Sequence, residues 1–192
     1  MFAERGFHGA RIQDIAERAR IAVGTVYNHF EQKEDVLRAL LEERTEELVR
    51  QLAPSPLDPP EFEQKLVSCI GRILRFTDQH RGFFIIATEH GLIGKSSQAA
   101  VEILAKPVRH MERVRESFQS LMEEGVVTGA LDKVDPILLG RLFGGILRGF
   151  VMGALQDGTR DLEGQAPFLV RVFLKGTSAR KRTGPQTKLP LI

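Results

Sequence analysis

The side chains best equipped for chemistry crowd into one short stretch. Thr25, Asn28 and His29 stand within five residues of one another and bring a hydroxyl, an amide and an imidazole, and Tyr27 adds a phenol. Such groups donate and accept hydrogen bonds at short reach, which suits reading base edges and gripping phosphate oxygens more than making or breaking bonds. Elsewhere the reactive residue types are dispersed. Ser68, Ser96, Ser97 and Cys69 have no histidine at helical spacing, so no nucleophile has a base beside it. His80, His90 and His110 share no i, i+4 register, the spacing that would turn two rings toward one metal. GLIGKSS, residues 91–97, lacks the spacing and the preceding strand of a phosphate loop. Glu42, Glu43, Glu46 and Glu47 read as the wet side of a helix. The chain is read as a non-enzyme with no catalytic residue, no metal and no cofactor.

Two short apolar patterns must position the polar stretch. Ile12, Ile15, Ala16 and Ala19 fall at i, i+3, i+4 and i+7, one face of a helix, and Val23, Val26, Tyr27 and Phe30 repeat the spacing. Only Arg20, Ile21 and Ala22 separate them. Helices so closely joined cross steeply, as in a helix-turn-helix, whose second helix enters the major groove of DNA. Gly24 sits inside the second helix, where glycine costs about 1 kcal/mol relative to alanine. Its presence suggests close approach of another backbone, either the first helix or a phosphate. Periodicity alone leaves an ordinary helical hairpin open.

Four blocks add to that pattern: FAERGF, DIAERA, GTVYNHF and KEDVL, in this order from Phe2 to about Leu41. Together they closely resemble the DNA-binding domain of the TetR/AcrR family of bacterial transcriptional repressors. The resemblance implies that GTVYNHF is the recognition helix, that Thr25, Tyr27 and His29 face DNA bases and phosphates, and that Lys33 contacts a phosphate. Arg11, Gln13, Ala22, Val23, Gly24 and Asn28 complete the expected DNA-binding set. This copy departs from the usual pattern at Ala10-Arg11, Arg20, Ala22-Val23 and Gln32. Three of these departures remove a capping side chain, each worth about 0.5–2 kcal/mol. Arg20 is expected in a left-handed conformation at a cost of about 1–2 kcal/mol. Arg11 is expected to offset its lost cap with a phosphate contact. Gly6 is expected to end the first helix, with Phe7 folding back on it, which leaves only Met1 to Arg5 ahead. A first helix truncated in this way would lower DNA affinity.

Composition sets the wider frame. The chain has 192 residues, one Tyr, no Trp and no sustained period-two alternation, so an all-α fold is expected. The single Cys69 cannot form an internal disulfide and reads as a buried small hydrophobe, consistent with a reducing cytoplasm. No apolar run is expected to reach the ~18–20 residues that span a membrane, and no leader is evident. Cytoplasmic residence in a bacterium follows, with nucleoid association when DNA is bound. Net charge is +2. Residues 1–33 are nearly balanced, so the headpiece is expected to bind double-stranded DNA as a homodimer through oriented contacts rather than bulk attraction. The stretch after Leu174 holds Lys175, Arg180, Lys181, Arg182 and Lys188 with no acid, and its end is expected to be a disordered basic tail.

Three units are expected: a helix-turn-helix domain over 1–41, a helical ligand-binding and dimerisation domain over 42–175, and the tail over 176–192. In the second, helices are expected from Lys33 to about Leu52, from Glu61 to about Thr77 after the Pro-rich 53–60, and over the Phe-rich Gly82–Glu89, which should be buried on all sides. A long helix from Ser97 to Glu124, kinked at Pro107 and closed by Gly125, comes next. Asp135-Pro136 opens another. Its glycines Gly140, Gly144, Gly145, Gly149 and Gly153 imply close helix packing. A last helix covers about Leu162 to Leu174. The resemblance implies a cavity for an unknown small-molecule effector and a dimer built on the last two helices. Phe62, Leu66, Phe83, Phe84, Phe118, Met122, Phe143 and Leu147 are the expected walls, pointing to an apolar or amphipathic ligand, with His80, His90, Arg109 or His110 as polar anchors. Gly140, Gly144, Leu147, Val151, Phe168 and Val172 are the expected dimer contacts. The function read from the sequence is a ligand-responsive repressor of an inverted-repeat operator. The alternative is a helical adaptor or ligand-binding protein with an impaired headpiece.

Overall fold

The structure is a computed structural model that describes residues 2–89 and 108–177. Among the described residues there are nine α-helices, one 3-10 turn and no strand, in agreement with the all-α expectation. The first three helices are α1 (Phe2–Gly9), α2 (Ile12–Ala19) and α3 (Val23–Tyr27). Then come α4 (Lys33–Leu52), α5 (Phe62–Gln79) and α6 (Arg81–Glu89). The last three are α7 (Val108–Val127), α8 (Pro136–Asp157) and, after the 3-10 turn Glu163–Gln165, α9 (Ala166–Thr177). The GLIGKSS segment, His90, Pro107 and the basic tail lie outside the described residues.

Helix α1 does not stop at Gly6. It continues to Gly9, and Phe2, Phe7 and Ala10 are buried against Leu37 and Leu41 of α4 and Ile86 of α6. The apolar surface of that docking outweighs the interior glycine. Two of the three absent capping side chains have substitutes, and Ala22 at the start of α3 has none. Asp14 and Asp35, each at the third helical position, accept the backbone N–H of Arg11 at 3.3 Å and of Gln32 at 3.1 Å. This is the reach-back half of a capping box. Arg20 is left-handed as expected, at φ 57° and ψ 40°. Its N–H donates to Glu17 O and the next N–H, of Ile21, donates to Ala16 O, both at 3.0 Å, which closes α2 in a Schellman turn.

The larger core surrounds α5. Leu66, Ile70 and Leu74 are fully buried against α7, α8 and α9, and the Phe143 and Phe173 rings meet at 4.5 Å. Gly125 does not close α7, which runs on to Val127 before Gly129 takes φ +76°. It is instead a packing position: a Cβ there would stand 2.5 Å from the tip of Phe62 and 2.7 Å from Leu131 Cδ1. The expected close approach of helices occurs at Gly140, whose Cβ would lie 3.4 Å from the backbone nitrogen of Gln119. That approach joins α8 to α7 of the same chain. Asp135 caps α8 by accepting the Ile137 N–H at 2.9 Å, with Pro136 in the first turn. In α6, Phe84 and Ile86 are buried, whereas Ile85 is 37% exposed, so this helix has a wet side that its composition hides.

Helix α8 has a window of mean hydropathy 1.5 and is long and apolar enough by composition to cross a membrane, contrary to the expectation that no segment would be. Only one side of it packs inward: Phe143, Leu147, Val151 and Ala154 are buried in the bundle, Ile137, Leu138 and Leu142 are exposed, and Arg141 and Arg148 interrupt the apolar run.

The Pro-rich connection is held by one polar knot. The Asp58 side chain is 4% exposed and bonds the Arg72 guanidinium, the Ser68 hydroxyl at 3.0 Å and the Ser55 N–H at 2.7 Å. Arg72 also donates to Gln51 O at 3.1 Å and Ala53 O at 3.3 Å, covering the C-terminus of α4. Burial alone would raise the Asp58 carboxyl; Arg72, Ser55 and Ser68 outweigh it and hold the pKa below the usual carboxylate value. A depressed folded-state pKa contributes stability above the unfolded pKa and loses it as pH falls through the folded one. Acid titration of stability should therefore drop below about pH 4, and Asp58→Asn should flatten that drop while lowering stability at pH 7, as read by urea midpoints. At Gly125, alanine should destabilise by about 1–3 kcal/mol despite its better helix propensity, because Phe62 and Leu131 are both buried and cannot swing aside. The same urea midpoints measure it.

Candidate functional site

Two surfaces carry unassigned chemistry. The first is the outer face of α3. Val26 is buried on Ile12 and Ala16, with Val23 and Phe30 half-buried beside it. That packing turns Thr25, Tyr27, Asn28 and His29 to solvent. The side chains of Thr25, Tyr27 and Asn28 have no hydrogen-bond partner among the described residues. Tyr27, which the apolar period puts on the inner face, is 50% exposed. The reason is length: α3 ends at Tyr27, and Asn28 and His29 turn back with N–H bonds of 3.0 Å to Gly24 O and Val26 O. Gly24 is exposed and has no atom within 4 Å of where a Cβ would stand, so the expected approach of the first helix to it does not occur. Arg11, Gln13 and Ala22 are exposed, whereas Val23 serves mainly the small core beneath.

Lys33 has a role that the sequence did not disclose. Its ammonium donates to Phe7 O at 2.7 Å and Ala10 O at 3.0 Å and stands 4.4 Å above the Phe7 ring. It thus satisfies the open carbonyls at the end of α1 and ties α4 to it. An ammonium has three N–H donors, so one remains for an outside acceptor.

The second surface is a cavity of about 600 Å³ enclosed by α4 to α8. Leu41, Leu48 and Leu52 of α4, Ile73 and Thr77 of α5, and Phe83 and Phe84 of α6 form one side. Val114 and Phe118 of α7 and Gly140, Gly144, Leu147 and Val151 of α8 form the other. Of the expected walls, Phe83, Phe84, Phe118 and Leu147 line it. Phe62, Leu66, Met122 and Phe143 do not: they point to the α5 core, where each is buried. Gly140, Gly144, Leu147 and Val151, expected between subunits, face this cavity instead. Phe168 and Val172 do face outward, 50% and 47% exposed. One helix cannot turn the same residues both ways, and the α7 packing at Gly140 fixes the choice.

The inner lining is apolar except for two threonines: the half-buried Thr45 of α4, whose hydroxyl has no partner among the described residues, and Thr77 of α5. Thr77 is fully buried, and its hydroxyl donates to Ile73 O at 2.9 Å within its own helix. His80 is no anchor: its ring packs on Phe76 at 4.5 Å and lies 3.9 Å from Glu47, away from the lining. The side chains of Arg109 and His110, like His90, lie outside the described residues. The polar groups are at the mouth: Arg115, Glu112, Glu116 and Gln119 of α7, and Arg141 and Arg148 of α8. Sequence reasoning missed these arginines as lining residues, although positions 137, 141, 144 and 148 share one helical face. Burial pushes the Cys69 thiol up to about 11, which keeps it unreactive at neutral pH. Among the described residues no group of three His, Cys, Asp or Glu could hold a metal ion.

Replacing Lys33 by Met should leave both α1 carbonyls without their partner and destabilise the headpiece by about 1–3 kcal/mol. Amide hydrogen exchange should accelerate across α1 while α5 keeps its protection. Unchanged exchange in α1 would show the carbonyl contacts to be dispensable.

Comparison with known proteins bears on both surfaces. A model of the family described as bacterial regulatory proteins, tetR family, matches residues 1–40. The HTH-type transcriptional repressor DhaR of Mycobacterium sp. strain GP1 is 30% identical over 157 residues, 77% of this chain and 76% of that protein. The fatty acid metabolism regulator protein of Bacillus subtilis strain 168 is 22% identical over 92% of this chain and 89% of its own length. Among solved structures, the transcriptional regulator FadR from Bacillus subtilis in complex with stearoyl-CoA superposes with a TM-score of 0.75 at 21% identity, covering 91% of this chain and 92% of that one, a likeness of fold. With the helix-turn-helix in place, the helical domain behind it and a repressor of 30% identity matched over most of both chains, this protein belongs to the TetR family of transcriptional regulators.

Proposed function

We propose that the protein is a dimeric repressor whose hold on an inverted-repeat operator is controlled by a long-chain acyl thioester of coenzyme A. The observation that carries this reading is the position of the cavity. Its walls include Leu41 of α4 and Phe83 of α6, and these same side chains pack at the cluster that seats Phe2 and Phe7 of α1. A chain threaded between α4 and α6 would press on the seat of the headpiece. The dry interior suits an acyl tail, and the charged mouth suits an ionic head. The fatty acid regulator among the relatives, and the FadR structure that holds stearoyl-CoA, support the ligand class.

In this reading Thr25, Tyr27, Asn28 and His29 face the major groove, Gly24 lets a phosphate approach its bare backbone, and Arg11, Gln13 and the spare N–H of Lys33 grip the DNA backbone. The dimer forms through the outward strip of α8 and α9, where Leu138, Leu142, Phe168 and Val172 are all exposed apolar residues. The DNA-reading unit of residues 1–41 shares α4 with the ligand unit, since the boundary falls inside that helix. The two headpieces sit at a spacing of about 34–36 Å, one turn of DNA, or a related separation. Acyl-CoA favours a spacing that misses the grooves, and by linkage binds the DNA-free form more tightly. Residence in the cytoplasm, on the nucleoid when bound, goes with this role.

Selection of bound sequences from random duplex DNA, with the dimer checked by light scattering, tests the reading. An enriched inverted repeat released by micromolar stearoyl-CoA is the expected result. A folded dimer that enriches nothing would favour the adaptor alternative, and a monomer would remove the operator geometry. Phe118→Ala, in the cavity wall but outside the cluster that seats the headpiece, should keep operator affinity near wild type but shrink the release by stearoyl-CoA from a typical coupling of about 5–150-fold toward none. Operator titrations with and without ligand measure that loss.

A further inference from the structure

The α8 rim of the cavity reads R-x-x-G-G-x-x-R, from Arg141 through Gly144 and Gly145 to Arg148. All four residues line the cavity. Seven residues are two helical turns, so the two arginine Cα atoms stand about 10 Å apart along the axis on one side of α8. Neither arginine has an ion pair or hydrogen bond among the described residues. Three other arginines of the domain are committed: Arg72 to Asp58, Arg75 to Glu163 and Arg81 to Asp78. At the same mouth, Arg115 stands 3.8 Å from Glu112. The rim therefore holds two uncommitted guanidiniums on α8, facing a wall of α7 that carries Glu112 and Glu116.

Between the arginines the helix surface is bare. A Cβ at Gly144 or Gly145 would meet nothing within 4 Å. Neither glycine is required by a neighbour among the described residues, yet each costs about 1 kcal/mol relative to alanine inside a helix. What they leave is width at the mouth, between two forks suited to bidentate contact with phosphate.

Resting on the acyl-CoA reading above, we propose that Arg141 and Arg148 form a two-point clamp for the phosphate-bearing head of the effector, laid across Gly144 and Gly145 while the acyl chain enters the cavity. Two anionic groups separated along the head engage both arginines. The single carboxylate of a free fatty acid reaches one at a time. The glutamates of α7 repel the head from the opposite wall and press it toward α8. The clamp thus decides which form of a long acyl chain is sensed: the activated thioester rather than the free acid.

The test is calorimetric titration of the full chain with stearoyl-CoA, stearate and unacylated coenzyme A. The wild type should bind stearoyl-CoA far more tightly than stearate. The double variant Arg141→Gln, Arg148→Gln should lose about tenfold or more in stearoyl-CoA affinity, with stearate affinity unchanged. Both arginines are exposed, and an unchanged circular dichroism melt confirms the fold. Gly144→Leu, which fills the bare surface and keeps both charges, should also weaken stearoyl-CoA more than stearate. A double variant that binds stearoyl-CoA like the wild type, or that loses stearate equally, overturns the clamp and leaves the acyl-CoA reading standing. A wild type that binds neither stearoyl-CoA nor stearate overturns both.

Discussion

Helix α4 has to satisfy two cores with one rigid rod. Leu37 and Leu41 are buried beneath the headpiece, while Leu52, about five turns from the N-terminus, is buried in the core around α5. Its start is fixed by Asp35 on the Gln32 N–H and by the grip of Lys33 on α1. Its end is fixed by Arg72 on Gln51 O and Ala53 O. With both ends satisfied, the helix transmits displacement instead of absorbing it. Between those ends, Leu41, Thr45 and Leu48 form a wall of the cavity. The regulatory logic of the molecule depends on that wall being part of the same rod that carries α1.

The fold was largely legible because its signals are local. The two apolar runs around Arg20, the stop at 53–60 and the Asp135-Pro136 start are short-range patterns, and each marks an element in the structure. What was not legible was tertiary. The sequence reports that Phe62, Phe83, Phe118 and Phe143 are apolar, but which of them face a void and which a neighbour depends on the rotation of each helix. The tight contact at Gly140 sets that rotation for α8, and periodicity cannot see it. Gly6 and Gly125 misled for a related reason. Glycine is equally at home ending a helix and allowing a close contact, and α1 and α7 run through both positions. The exposure of Thr25, Asn28 and His29 was easier to read, because a five-residue helix held at Val26 has little freedom over what it exposes.

Charge is partitioned in a way that follows from the same packing. Several ionic groups between helices are consumed by structure: Asp58 with Arg72, Glu163 with Arg75, Asp78 with Arg81 and the Leu162 N–H at 2.7 Å. Thr25, Tyr27 and Asn28 on the face of α3, and Arg141 and Arg148 beside the cavity, have no such partner among the described residues. A near-neutral chain can therefore present chemically specific surfaces, since what matters is which charges remain uncommitted.

The left-handed Arg20 has a further consequence. A non-glycine residue at φ 57° carries a backbone cost of about 1–2 kcal/mol, and it falls in the unit with the smallest core, where Ile12, Ala16 and Val26 are the buried side chains. The chain thus has two tiers of cooperativity. The bundle around α5 has the larger core and should set the free energy of global unfolding, and α2 and α3, with the smaller one, should open first. A reading head of low local stability can fit its turn to a groove at little expense. It is also where proteases would first find the chain open, so binding of DNA would lengthen the lifetime of the protein.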